Sequence, residues 1–189
     1  MFFRLTPTVR NLVFINVAIF LVSAIFSRFL ITERMALWKP ATELFQPYQL
    51  FSYMFAHGGF AHIFFNMMSL SILGPYLESV WGHKRFLTFY IITGIGAAII
   101  YLLLENFLSL GGGGWMVGAS GAIYGLSMAF GLLYPEVELY FYFFPIKAKY
   151  FVFVSGFLAY VMDPSGQIAH FAHLGGAIVG FVLIKFGRF

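Results

Sequence analysis

The chain has 189 residues, 61% of them hydrophobic and 10% charged, with a formal net charge of +4, whereas an ordinary soluble domain carries roughly 25% charged residues. Such a chain cannot solvate its own surface in water, so a single all-α membrane bundle, residues 1–189 in one domain, is expected. The cations fall singly or in pairs between apolar runs without polar readout residues around them, which excludes nucleic acid as a partner; the absence of cysteine excludes a thiol nucleophile, a disulfide frame and Cys-based metal sites.

A hydrocarbon core of about 30 Å takes roughly 20 apolar residues per helical span, and the apolar runs predict six spans near 10–30, 55–77, 86–106, 119–134, 147–162 and 168–187. The first run, Leu12 to Phe26, continues toward Leu30 without a small-residue cleavage site, so it is read as a span and not as a secretory signal. With the N-terminus in the cytoplasm, Arg4, Arg10, Lys84, Arg85, Lys147, Lys149, Lys185 and Arg188 lie inside and only Arg28, Arg34 and Lys39 outside, in line with the positive-inside rule; both termini are expected to be cytoplasmic. The first outer connection, 31–54, is rich in aromatic residues and proline and is expected to lie partly in the interface. The second, Ser109 to Gly118, carries the run Gly111 to Gly114 and opens the fourth span, where backbone N–H groups can approach a ligand.

Polar groups at membrane depth cost about 2.5–3.5 kcal/mol each on the lenient insertion scale, so those found there need a reason. His62 and Asn66 are four apart on one helix face; Ser120 opens the fourth span; His173 lies on the sixth. Ser120 can be an ordinary N-cap, yet the free N–H groups and positive dipole end of a first helical turn also favour an oxyanion. His173 can be interhelical glue. Gly121 and Gly125 on the fourth span, with Gly176 and Gly180 on the sixth, form small-residue surfaces for close approach, which would bring the His173 imidazole to the Ser120 hydroxyl, with Tyr124 placed to stack on it. A Ser–His pair suffices to generate a nucleophile. His62 and Asn66 are then either oxyanion donors, with the Ser120 N–H, or a polar clamp between helices.

Competing chemistries lack their parts. A zinc protease would need His-Glu-x-x-His, and an aspartyl protease two carboxylates sharing a site, where the chain has one aspartate, Asp163. A metal site from His57, His62, His170 and His173 has imidazoles without carboxylate or thiolate support, so no metal is expected.

HGGFAHIFFNMMSL with the following GPYLESVWG, then GASGAIYG, then AHFAHLGGAIVG, resemble in order and spacing the second-helix, nucleophile and sixth-helix histidine motifs of rhomboid proteases. The resemblance covers about residues 38 to 183. It implies a six-helix intramembrane serine endopeptidase without a cofactor, cleaving transmembrane segments of other membrane proteins near their outer ends. Ser120 falls on its nucleophile, His173 on its general base, His62 and Asn66 on its oxyanion hole, and Tyr124 on the aromatic that supports the histidine. Gly118, Gly121, Gly176 and Gly180 fall within these motifs. Glu78 matches a glutamate that stabilises the loop after the second helix, His57 a structural histidine, and His170 no catalytic position. Bacterial members often carry Trp-Arg in the first outer loop, where this chain has Trp38-Lys39-Pro40, so that loop's hydrogen bonding is expected to differ. Substrate access is expected past the fifth span, at Phe153, Phe157, Tyr160 and the turn from Asp163 to Gly166. A bacterial inner membrane is the expected location. Derlins and inactive rhomboids lack the serine–histidine pair, and a non-proteolytic client binder or a histidine-based transporter is the alternative.

Overall fold

In lipid every backbone N–H and C=O must find its partner within the protein, which leaves helices as the way for separate apolar runs to span. The computed structural model describes residues 5–26, 28–108, 114–141, 144–162, 167–187 and 189, and helices occupy all six apolar runs. They are α1 (Pro7–Phe26), α4 (Phe60–Trp81), α5 (His83–Leu108), α6 (Ser120–Leu133), α7 (Ala148–Met162) and α8 (Gln167–Phe186), with two short helices between the first and second runs, α2 (Arg28–Met35) and α3 (Gln49–Ser52). By length and composition α1, α4 and most of α5 are long and apolar enough to cross a membrane; α6, α7 and α8 contain shorter apolar helical stretches. α1 stops at Phe26, short of the expected 30, and α2 begins at Arg28.

α6 sits in the middle of the bundle, packed against α4, α5, α7 and α8. Glycine permits this. A methyl group at Gly176 would strike the backbone of Gly121, and one at Gly180 would lie 2.7 Å from the Gly125 carbonyl oxygen, so only hydrogen at these positions lets α8 rest on the α6 backbone. The empty sides of Gly121 and Gly125 point elsewhere: a methyl group there would lie 2.7 Å from Ala97 Cβ and 2.6 Å from Thr93 Cβ, both on α5. The two small-residue stripes therefore meet as expected, Gly176 on Gly121 and Gly180 on Gly125, and the α6 glycines in addition leave room for Ala97 and Thr93 of α5.

α1 is held at its start by Glu78, which is buried near the end of α4. Its carboxylate accepts hydrogen bonds from the backbone N–H groups of Thr8 at 2.9 Å and Val9 at 3.0 Å and from the Thr6 hydroxyl at 2.5 Å. A helix's first N–H groups have no partner within the helix and favour negative charge. The expectation that Glu78 stabilises the loop after its own helix is thus corrected: it caps α1. Between α6 and α7 lies an antiparallel hairpin, β1 (Glu138–Phe141) and β2 (Phe144–Lys147), in the register Glu138↔Lys147 to Phe141↔Phe144. No strand was expected there. At its base Glu136 accepts from Lys147 Nζ at 2.7 Å and Lys149 Nζ at 2.5 Å, and these two ammonium groups hold its exposed carboxyl down to about 2.

Candidate active site

The segment leading into α6 is fixed before the helix begins. Leu37 and Met116 exchange two backbone hydrogen bonds of 2.9 Å, and the Gly118 N–H donates to the Tyr53 carbonyl, also at 2.9 Å. Tyr53 is itself pinned to α5, its hydroxyl donating to the Gly94 carbonyl at 2.7 Å. Gly118 has φ +117°, a conformation that side chains disfavour. A Cβ there would lie 2.6 Å from His62 Nε2 and 3.7 Å from Ser120 Oγ. The imidazole and the hydroxyl therefore both border the bare side of this glycine.

Ser120 is the first residue of α6, with Ala119 as its N-cap. Its hydroxyl borders a cavity of about 530 Å³ whose walls include His62, Asn66, Tyr124, His170 and His173. α4 supplies His62 and Asn66, α6 Ser120 and Tyr124, and α8 the other two histidines. The Tyr124 and His173 rings stack with centroids 4.2 Å apart and planes 10° apart, which fixes the imidazole by packing. Its Nδ1 is buried and, among the described residues, makes no hydrogen bond, to a carboxylate or to any other group. Among the described residues no hydrogen bond joins Ser120 directly to His173; the two side chains share the cavity wall.

Asn66 is buried, and its amide donates to the His62 carbonyl at 2.8 Å. One N–H of that amide remains for another acceptor. His57 is also buried and lies edge-on to His62, ring centroids 5.1 Å apart. It stands behind the site and not in the cavity wall. His170, which sequence reasoning left out, is at the site: its ring is 6.4 Å from that of His173 and 5.4 Å from that of Tyr160. On the other side of α7 a second cavity, of about 370 Å³, shares Tyr124, His170 and His173 with the first. Among the described residues no three histidine, aspartate or glutamate side chains are grouped to hold a metal ion, so the four histidines do not assemble the metal site weighed from the sequence. Of the expected access elements, Phe153, Phe157 and Tyr160 are exposed on α7; the turn from Asp163 to Gly166 lies outside the described residues.

Sequence reasoning also missed Gln49. It is 1% exposed, and its side chain binds the outer connection together. Its Oε1 accepts from the N–H groups of Trp38 at 3.3 Å and Gln46 at 3.1 Å, while its Nε2 donates to the carbonyls of Leu44 at 3.0 Å and Arg34 at 3.3 Å. The signal available was a lone amide in the apolar stretch from Tyr48 to Phe51.

Serine and histidine from adjacent helices, with His62 and Asn66 from a third, thus border one cavity of a polytopic helical membrane protein. A model of the rhomboid domain matches residues 44–188, and the chain belongs to the rhomboid family. It is an integral membrane protein of a family made up mostly of intramembrane serine proteases. RHOMBOID-like protein 2 of Arabidopsis thaliana is 32% identical over 154 residues, covering 77% of this chain and 44% of the relative. Rhomboid protein 1, mitochondrial, of Saccharomyces cerevisiae is 29% identical over 133 residues, 67% of this chain and 38% of the relative. Inactive RHOMBOID-like protein 8 of Arabidopsis thaliana is 30% identical over 143 residues, 75% and 38%. This chain thus spans less than half the length of these three relatives.

Proposed function

We propose that this chain is an intramembrane serine endopeptidase that cleaves transmembrane segments of other membrane proteins with Ser120 as nucleophile and His173 as general base. The observation that carries the reading is the shared cavity: Ser120 at the first turn of α6, His173 stacked on Tyr124, and His62 and Asn66 on the facing helix. Catalytic hydrogen bonds are often long before substrate is held and tighten in the complex, so a cavity in common is the relevant geometry.

In this mechanism Ser120 Oγ attacks the scissile carbonyl carbon while His173 takes the hydroxyl proton at Nε2. The carbonyl oxygen becomes an oxyanion, met by the Ser120 N–H, the free Asn66 N–H and His62; losing one such donor typically costs about 10²–10³ in turnover. The imidazolium passes its proton to the leaving amine, and the acyl-enzyme is hydrolysed by water that His173 activates in turn. A substrate helix hides its carbonyls in hydrogen bonds, so segments weakened by glycine, proline or small residues are preferred. α6 has 14 residues, about 21 Å of helix in a core of about 30 Å, which sets Ser120 below the outer surface. The lysines of the α6–α7 connection then lie on the cytoplasmic side with both termini, and substrate arrives along α7.

The test is labelling with a serine-reactive fluorophosphonate. Labelling of the parent chain, lost in both Ser120→Ala and His173→Ala, is the expected result, followed by cleavage of a transmembrane substrate in liposomes. Equal labelling of the Ser120→Ala variant overturns the assignment. The inactive relative favours a second reading, a client binder in which the pair is a bystander; binding of membrane segments without any labelling of folded parent chain would establish it.

A further inference from the structure

Lys39 and Glu105 form an ion pair for which the proposed chemistry has no use. Glu105 is 8% exposed near the outer end of α5, and Lys39 comes from the outer connection, where it is 26% exposed. Removing one partner of such a pair leaves a poorly solvated charge behind. The neighbours of Lys39 lead straight to the site. Trp38 stacks on Trp115, ring centroids 6.2 Å apart, and Leu37 makes the two-bond bridge to Met116. Two residues further on, Gly118 is fixed to Tyr53, and two beyond that is Ser120. Residues 37–39 and 115–116 are thus laid side by side, and Lys39 is the member that ties this pair of segments to a long helix.

We propose that Lys39 and Glu105 are positioning residues for the nucleophile. Their ion pair anchors the outer connection to α5, and through the Leu37–Met116 bridge it sets the place and direction of the segment that delivers Ser120 and its N–H to the cavity. Neither residue touches substrate. The inference rests on Ser120 being the nucleophile, and a 1 Å misplacement of such a group can cost about 10²-fold in rate. It also explains how a loop lacking the Trp-Arg pair is held: Gln49 organises its interior, and lysine supplies the outward anchor as a point charge.

The test uses the full chain in liposomes with Lys39→Gln, Glu105→Gln, Lys39→Arg and the exchanged pair Lys39→Glu/Glu105→Lys. Three quantities are read: the rate of fluorophosphonate labelling at Ser120, kcat and KM for a transmembrane substrate, and the near-ultraviolet dichroism of the Trp38–Trp115 pair in a Trp81→Phe background, which removes the third tryptophan of the chain. The neutral variants are expected to label roughly ten- to a hundredfold more slowly, with kcat lowered, KM near the parent value and the tryptophan signal lost. Lys39→Arg and the exchanged pair recover all three. Parent-like labelling and dichroism in Glu105→Gln overturn the proposal, as does a Lys39→Arg chain as slow as Lys39→Gln. Should the parent chain itself not label at Ser120, the protease reading fails separately, and the dichroism alone decides: loss in Glu105→Gln upholds the anchoring, retention refutes it.

Discussion

Along α8 a methyl group at Gly176 would meet the Gly121 backbone, whereas at Gly156 on α7 it would find only Tyr124 Cε1, at an ordinary 3.7 Å. The seam of α6 with α8 is thus closed to the limit of backbone contact, while α7 stands between cavities of about 530 and 370 Å³ and exposes Phe153, Phe157 and Tyr160. Ser120 and His173 sit on opposite sides of the tight seam. Elements with few buried apolar contacts open at low free energy, so under the proposed function the difference divides the labour: rigid packing would set Ser120 and His173, and the more loosely packed α7 would let substrate reach them.

The largest effect is expected from Gly176→Ala. Its new methyl meets backbone, which has nowhere to go, and overpacking of this kind costs about 3 kcal/mol, the upper end of the usual range; thermal unfolding in detergent and loss of fluorophosphonate labelling would record it. Gly125→Ala meets the Cβ and Cγ2 of Thr93, whose hydroxyl is engaged with the Phe89 and Tyr90 carbonyls, and a cost of about 2 kcal/mol is expected by the same assay. Gly156→Ala should go the other way, raising stability by about 0.5–1 kcal/mol through helix propensity alone and leaving the labelling rate unchanged. A destabilised Gly156→Ala would show that α7 is packed as tightly as the seam and would break the comparison.

The smallest effect belongs to the hairpin at the start of α7. Lys147 and Lys149 lower the Glu136 carboxyl from 4.5 to about 2, so its contribution is present above 4.5 and is lost as pH falls toward 2. Glu136→Gln should flatten that acid limb of the unfolding midpoint while changing little at neutral pH, and salt should shrink the difference further because the group is fully exposed. An unaltered acid limb would remove these lysines from the account.

The helices were readable because lipid leaves long apolar runs few alternatives. The glycine stripes were readable as close-approach surfaces, and Gly176 and Gly180 do rest on Gly121 and Gly125. Helical spacing did not say that the same two α6 glycines also make room for Ala97 and Thr93 on α5. Glu78 shows the same limit: its partners, Thr6, Thr8 and Val9, lie some seventy positions away, and the resemblance pointed to the wrong neighbour. The hairpin escaped notice since Pro145 interrupts an aromatic stretch that otherwise reads as strand. Around the candidate site the sequence placed Tyr124 against His173, which the stacked rings match, but it gave His170 no place there and passed over Gln49, since the positions of both depend on how separate elements meet.

The bare side of Gly118 carries an evolutionary consequence. A side chain at position 118 would begin where the ring of His62 lies, and it would also have to take up a φ of +117°, which glycine alone adopts readily. Shrinking residue 62 by itself therefore does not release position 118, and the glycine is expected to persist wherever this turn is kept.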